Sequence, residues 1–244
     1  MEAYICRSIS RIHYLSIYSG RDISLPDFVF RPLKMTVLYI HGMGGGSDSR
    51  IPSILSECLG PYGIDVIVRT YDFDPDLASM QLAGQMVVYS PDLIIGESLG
   101  SLHALRLCGC PHLFVSPALN APFYFEILAW LSLVPGVTWL FDRIYKPREG
   151  DRQQLHFTYD VLRKYRNHRK VALEISKERK QKESYFAFFG THDHYRRSGI
   201  VSLKTWKKHF GATYRLYEGT HFMEECFVRK MLANEVLRML NITK

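Results

Sequence analysis

Residues 93–100 read LIIGESLG, an apolar run followed by a serine with glycine two positions before it and two positions after it. A β-type run that enters a helix through G-x-S-x-G predicts a turn so tight that the backbone at both flanking positions is crowded. Glycine at Gly96 and Gly100 relieves that crowding because it has no β-carbon. This nucleophile elbow would lift the Ser98 hydroxyl above the sheet edge. The alternative is an ordinary turn in which Ser98 only caps the helix.

Short apolar runs alternate with helical patterns along most of the chain. The predicted strands are Thr36–Ile40, Ile64–Thr70, Leu93–Ile95, His112–Val115, Tyr185–Phe189 and Thr213–Tyr217. The predicted helices are Pro52–Leu59, Leu77–Tyr89, Leu99–Leu107, Leu203–Phe210 and Phe222–Leu240. Continuous apolar strands alternating with helices predict an α/β fold whose mostly parallel sheet is covered on both faces. Ile9–Tyr18 and Asp27–Phe30 predict additional N-terminal antiparallel strands.

The alternation stops between Asn120 and Lys182. Pro122–Tyr145 predicts two aromatic helices hinged at Pro135, and Asp151–Lys180 predicts one or two long basic helices. Its aromatic side chains either wall an apolar pocket or pack the insertion on the sheet; they are Phe123, Tyr124, Phe125, Trp130, Trp139 and Phe141. We predict one domain, with a core of residues 1–119 and 183–244 and an insertion of residues 120–182.

The positive charge of the chain is concentrated in that insertion. The formal net charge is +7, and Arg143–Glu183 contains 13 Lys or Arg against 6 Asp or Glu. The other residues carry 18 charges of each sign, so the body is neutral and nucleic acid is not an expected partner. The basic run is either a solvated helix face or a landing site for an anionic substrate, an anionic membrane surface or nucleic acid.

The cysteines and the hydropathy of the chain indicate where in the cell the protein is expected. Five irregularly spaced cysteines do not form a disulfide framework, and Cys108-Gly-Cys110 lacks the usual zinc spacing. Reduced cysteines and the lack of a cleavable-signal pattern predict a cytoplasmic protein. The most apolar stretch, Phe123–Val134, falls short of the ~20 residues that cross a bilayer, so no transmembrane segment is expected.

Three features beside the elbow occur in a specific order. Residues 38–45, LYIHGMGG, end a strand in a glycine-rich turn; Asp193 follows the strand Tyr185–Phe189, and His221 follows Thr213–Tyr217. In this order they resemble the α/β-hydrolase family, and the short His41-Gly42 loop is similar to that of a small esterase-like subgroup. The resemblance covers most of the chain and implies that the insertion is the family's helical cap.

The resemblance also implies roles for individual residues. Ser98 would be the nucleophile, His221 the base and Asp193 the acid that orients it. Rival acids are Glu218, Asp72 and Asp74. The trio His192-Asp193-His194 alternatively suggests a metal site.

The glycine-rich loop would form the oxyanion hole. The resemblance implies that the backbone N–H groups of Met43 and Leu99 hold the oxyanion, while Gly42 allows close approach and His41 braces the loop. The alternatives are a flexible glycine turn or a phosphate cradle; no Lys-Ser/Thr follows the glycines, which disfavours a nucleotide loop. Glu97, at the variable position of the elbow, is expected to pair with a cation or polar group.

These features predict a serine hydrolase that cleaves a carboxylic ester or thioester through an acyl-enzyme on Ser98. Its partner would be a small-molecule acyl substrate, anionic if the basic run binds it, and no metal or organic cofactor is needed. Acyl transfer or peptide cleavage by the same three residues are alternatives. A non-catalytic binding protein with the same fold is another.

Overall fold

Six strands form one parallel sheet in the computed structural model, which describes residues 34–146 and 149–242. The strands are β1 (Met35–Ile40), β2 (Ile64–Val68), β3 (Leu93–Glu97), β4 (His112–Val115), β5 (Tyr185–Gly190) and β6 (Tyr214–Tyr217). Their order is β2-β1-β3-β4-β5-β6, and Val37 of β1 pairs with Val66 on one side and Leu93 on the other. The order of strand addition reverses at β1, because β2 lies on one side of β1 and β3 on the other. At such a point the loops that follow parallel strands diverge and form a crevice at the carboxyl ends of the strands.

The helices connect these strands. They are α1 (Arg50–Leu59), α2 (Pro75–Tyr89), α3 (Gly100–Ala104), α4 (Ala121–Ser132), α5 (Val137–Ile144), α6 (Tyr159–Arg179), α7 (His194–Ser198), α8 (Leu203–Phe210), α9 (Glu225–Phe227) and α10 (Ala233–Met239). A 3₁₀ turn covers Gly60–Tyr62, and a π-helical turn, Val228–Leu232, joins α9 to α10. Side chains of Asp74 and Ser202 accept hydrogen bonds from the first turns of α2 and α8, satisfying N–H groups that lack partners within the helices.

The core has one layer on each side of the sheet because successive strand side chains point to opposite faces. Val37 and Tyr39 of β1 pack in the cluster that contains Leu55 of α1 and Val236 of α10. Leu38 and Ile40 pack in the other cluster, to which α2, α3, α6 and α8 contribute. The predicted α/β fold with a covered parallel sheet is confirmed, while the predicted strands at Ile9–Tyr18 and Asp27–Phe30 lie outside the described residues.

Three helices, α4, α5 and α6, lie between β4 and β5. The prediction of two helices hinged at Pro135 is confirmed, since α4 ends at Ser132 and α5 begins after Gly136, whose φ is 87°. The prediction that a helix starts near Asp151 is wrong. Backbone groups of Asp151 and Gln153 instead bond to Ser47 and Gly45, and the helix begins only at Tyr159.

Two other predicted helices are shorter than expected. The pattern Leu99–Leu107 contains only α3, because the chain turns at Leu105 and Arg106 before β4. The last helix begins at Glu225 rather than Phe222, because the preceding residues form a loop closed by a hydrogen bond from Thr220 N to Glu224 Oε1. Among the described residues, no helix combines the length and apolarity needed to cross a membrane.

Candidate active site

Ser98 occupies a strained turn between β3 and α3. Its φ is 48°, a left-handed value that non-glycine residues rarely adopt. The turn is held by backbone hydrogen bonds from Ser98 N to Val115 O and from Ala118 N to Ser98 O, each 3.0 Å long. A β-carbon at Gly100 would lie 2.3 Å from the carbonyl oxygen of His41, and one at Gly96 would lie 2.9 Å from the Cα of Ser101. Both glycines are therefore required for close packing, as the spacing predicts.

His221 lies between Ser98 and Asp193. Its Nε2 is 2.9 Å from Ser98 Oγ, and its Nδ1 is 2.9 Å from Asp193 Oδ2. Both His221 and Asp193 are only 2% exposed. Because a carboxylate only accepts, the partners assign the proton to Nδ1, which leaves Nε2 to accept from the serine hydroxyl. The structure thus brings together the three residues that the sequence analysis singles out.

The loops that carry Asp193 and His221 are bonded to each other independently of those side chains. Thr191 N donates to Tyr217 O, and His192 N donates to Gly219 O. Asp193 Oδ1 accepts from Tyr195 N and caps α7, so both carboxylate oxygens have partners. The distance between the acid and the histidine is consequently fixed by backbone structure.

The alternatives to Asp193 as the acid lie elsewhere. Asp74 pairs with Lys164, Asp72 accepts from Asp74 N, and Glu218 is exposed. Asp193 is the carboxylate that contacts His221. Within the described part of the chain, no group of three or more His, Cys, Asp or Glu side chains is arranged to hold a metal ion.

The loop after β1 passes directly over Ser98. A β-carbon at Gly42 would lie 3.0 Å from Ser98 Cβ. The Gly42 carbonyl accepts from Gly45 N and from His41 Nδ1, at 3.0 and 2.8 Å. The His41 ring is buried and stacks on Tyr71 with centroids 4.4 Å apart, and burial lowers its pKa to about 4. His41 is therefore neutral near pH 7 and bonded within its own loop.

The two residues proposed for the oxyanion hole belong to the loop after β1 and to the turn between β3 and α3. Met43 follows Gly42 in the loop and lines the cavity described below. Leu99 immediately follows Ser98 and is the N-cap of α3.

Gln153 is a structural partner of the loop that sequence reasoning missed. Its buried side chain accepts from Gly44 N at 3.0 Å and donates to the carbonyl oxygens of Tyr71 and Asp72. Its backbone N–H also donates to Gly45 O at 2.8 Å. A single amide in an irregular, charged stretch gives no sequence signal for this role.

Glu97 is a buried carboxyl group next to the serine. It accepts a hydrogen bond of 2.9 Å from Tyr39 Oη, which is the polar partner the sequence analysis left unnamed. Burial raises the pKa of Glu97, while the Tyr39 hydrogen bond and the nearby His221 act in the opposite direction.

A cavity of about 540 Å³ opens beside the elbow. Its described lining includes the loop from Gly42 to Gly45 and Glu97, the apolar side chains Ile144, Tyr145 and Phe222, and the cation Arg50. The described lining contains none of the six aromatic residues that the sequence analysis considered as walls of an apolar pocket. Phe125 packs in the core and Phe141 contacts Phe157, so for these two the alternative of ordinary packing is the correct one.

Several solved structures with the same architecture are described as hydrolytic enzymes. The fluorophosphonate-binding serine hydrolase FphF of Staphylococcus aureus, with substrate bound, matches at a TM-score of 0.58 and 12% identity, covering 89% of this chain and 87% of that one. Est1E from Butyrivibrio proteoclasticus, with ferulic acid bound, matches at 0.56 and 16% identity, covering 85% and 90%. A structure from work on the metagenome-derived lipolytic enzymes LipS and LipT matches at 0.56 and 14%, covering 85% and 94%.

These likenesses establish that the chain has the α/β-hydrolase fold. No protein-family model and no curated protein sequence matches the chain.

Proposed function

We propose that the protein is a serine hydrolase that cleaves a carboxylic ester or thioester through an acyl-enzyme on Ser98. The observation that carries this proposal is the hydrogen-bonded line from Ser98 Oγ through His221 to Asp193, with both distances at 2.9 Å. The line suits general-base catalysis, because a carboxylate that accepts from His221 Nδ1 leaves Nε2 to accept from the serine hydroxyl.

The reaction begins when His221 accepts the Ser98 proton as Oγ attacks the substrate carbonyl carbon. Buried Asp193 stabilises the imidazolium ion that forms. The tetrahedral intermediate then collapses, and the leaving group departs with the proton from His221. Water, deprotonated by His221, attacks the acyl-enzyme and releases the carboxylic acid and the free serine.

The backbone N–H groups of Met43 and Leu99 are our candidates for the oxyanion hole. Gly42 approaches Ser98 closely, and the loop that carries Met43 is held by His41 and Gln153. Donors fixed in this way need no reorganisation when the oxyanion forms, and losing one such donor costs ~100–1,000-fold in rate.

The cavity beside the elbow is the proposed acyl site. Its volume of about 540 Å³ and its mixed lining suit a small-molecule substrate. Ile144, Tyr145 and Lys146 bring the inserted residues 120–182 to this cavity, which supports their assignment as a cap over the site. Descriptions of the matched structures as a serine hydrolase and lipolytic enzymes support the same class of reaction.

Labelling with a fluorophosphonate probe tests the proposal. We expect the native protein to be labelled, Ser98→Ala to be unlabelled and His221→Ala to be labelled far more slowly. Ser53→Ala, which removes an exposed hydroxyl on α1, and His192→Ala are the matched controls and should label normally. Failure of the native protein to label, or equal labelling of Ser98→Ala, would refute the mechanism. Esters and thioesters of graded chain length then define the acyl group.

A further inference from the structure

Exposed apolar side chains are concentrated on α4, α5 and the turn between them. Of nineteen large hydrophobic side chains exposed among the described residues, eleven fall between Phe123 and Tyr145. They form what we term the apolar face: Phe123, Tyr124, Ile127, Trp130, Leu131, Leu133, Val134, Trp139, Leu140, Ile144 and Tyr145. Single exposed apolar residues are common on any protein, but a concentration of this kind marks an interaction surface.

The apolar face is the outward side of these helices. On α4, Phe123, Ile127, Trp130 and Leu131 recur every three or four residues and therefore share one side of the helix. The opposite side holds buried Phe125 and Ala129, in the same cluster as residues of α6. Helix α5 has no buried residue, and Trp130 and Trp139 are 57% and 63% exposed. These side chains are therefore not needed for the hydrophobic core.

Basic side chains border the apolar face. A groove of about 400 Å³ is lined by Phe123 together with Arg163, Arg166, Asn167, Arg169 and Lys170 of α6. The Arg169 guanidinium lies over the Phe123 ring, 4.6 Å from its centroid. Glu126 pairs with Arg166, and Glu174 lies 4.0 Å from Lys170. Arg163 and Arg169 bond to neutral groups, Tyr159 Oη and Leu119 O, so positive charge predominates along this edge.

The apolar face extends to the cavity beside Ser98. Ile144 and Tyr145, at the end of α5, belong both to the apolar face and to the cavity lining. Lys146, which follows them, and the exposed ring of Phe222 also line the cavity. A surface that covered the apolar face would therefore lie next to the cavity opening.

We propose that the apolar face and its basic border dock the protein on an anionic phospholipid surface. Tryptophan and tyrosine favour the headgroup level of a bilayer, aliphatic side chains enter the acyl boundary, and arginine and lysine attract anionic headgroups. The face offers all three, in adjacent positions. This docking goes beyond the proposed hydrolase activity and does not depend on it.

Binding of the full chain to lipid vesicles tests the proposal. We expect co-sedimentation with phosphatidylcholine vesicles containing about one third phosphatidylglycerol, weaker binding to phosphatidylcholine alone, and weakening by salt. Because Trp206 is fully buried, a blue shift of tryptophan emission on binding would report on Trp130 and Trp139. Replacing either exposed tryptophan by serine should weaken binding about tenfold. Arg163→Gln should weaken it about fivefold.

Val88→Ser is the matched control. Val88 is 73% exposed but lies near the end of α2, shortly before β3 begins, at the opposite edge of the sheet from Ser98. This variant should bind like the native protein, and so should Ser98→Ala, which separates docking from catalysis. Absence of vesicle binding, or binding unaffected by both tryptophan replacements, would overturn the proposal. Self-association through the same side chains without vesicle binding would also overturn it, in favour of a second copy of the chain as partner.

Discussion

The surroundings of Ser98 and the apolar face of α4 and α5 differ in where their contacts are made. Around Ser98, the imidazole and the carboxylate are buried and each faces a partner within the chain. On the apolar face, large side chains extend into solvent, although α4 buries other residues on its opposite side. The first region is complete in the isolated protein. The second gains its contacts only when another surface is present. Substitutions near Ser98 should therefore lower turnover or stability, whereas substitutions on the apolar face should weaken docking and leave stability near native.

The largest expected effect is on turnover. Asp193→Asn should lower kcat about 10,000-fold, because an amide can donate to His221 Nδ1 and so favour the tautomer that cannot accept the serine proton. KM should change little. His192→Ala, an exposed neighbour in the same loop, should leave both constants near native. Steady-state kinetics check this prediction. An Asp193→Asn variant with near-native kcat would mean that the hydrogen bond between Asp193 and His221 supports the structure but not catalysis.

A second effect of several kcal/mol concerns packing beneath the elbow. Gly100→Ala should destabilise the protein by about 3 kcal/mol, because the new methyl would meet the carbonyl oxygens of Ile40 and His41 at 2.5 and 2.3 Å. Gly84→Ala is the matched control: nothing lies within 4 Å of its β-carbon position on α2. That change should stabilise the protein by about 0.5–1 kcal/mol. Denaturant unfolding measures both, and similar signs for the two variants would contradict the crowding argument.

A third prediction uses the buried histidines of the sheet region. Burial lowers the pKa of His112 from 6.5 to about 4, with Glu183 acting in the opposite direction. Between pH 6.5 and about pH 4, His112 binds a proton in the unfolded chain but not in the folded chain. The free energy of unfolding therefore falls as the pH decreases through this range. Each such group contributes a slope of up to about 1.4 kcal/mol per pH unit.

His112→Phe should reduce that acid sensitivity while keeping the stack against Tyr185. The free energy of unfolding measured from pH 7 to pH 4 should then decline less steeply by up to the same amount. An unchanged slope would indicate that His112 is protonated in the folded protein.

The smallest effect is expected on the apolar face. Ile127→Ser should change the free energy of unfolding by less than about 0.5 kcal/mol, because its side chain is exposed. Phe125→Ala, on the buried side of the same helix, should cost about 3 kcal/mol. Thermal or denaturant unfolding distinguishes the two, and equal costs would show that α4 buries both sides.

Much of the sheet and the serine turn could be predicted because their signals are local. An apolar run ending in G-x-S-x-G specifies strand, turn and helix within eight residues. Parallel strands place their carboxyl ends at one edge, so residues following β3, β5 and β6 meet there although Ser98 and His221 are 123 positions apart. The order of the motifs, read through the family resemblance, points to Asp193 and His221, and it leaves Glu218, Asp72 and Asp74 open as rival acids.

Contacts made by the inserted residues could not be predicted in this way. Gln153 reaches Gly44 across 109 positions, and neither residue belongs to a periodic pattern. Aromatic content likewise indicates a tendency to bury but not which surface does the burying. Helix α4 is apolar on both sides and α6 covers one, which leaves Trp130 outside the core.

The direct pairing of β4 with β5 has an evolutionary consequence. Val115 lies opposite Phe188, so the chain leaves the sheet after β4 and returns to the neighbouring strand after α4, α5 and α6. Closing a longer loop costs little more than closing a shorter one, so this position tolerates exchange of whole segments. The hydrogen bond from Gly44 to Gln153 sets a condition on that exchange. A replacement segment that brings a new docking surface must also supply a hydrogen-bond acceptor for Gly44 N in the loop above the serine. The docking surface and the support of the active-site loop therefore change together.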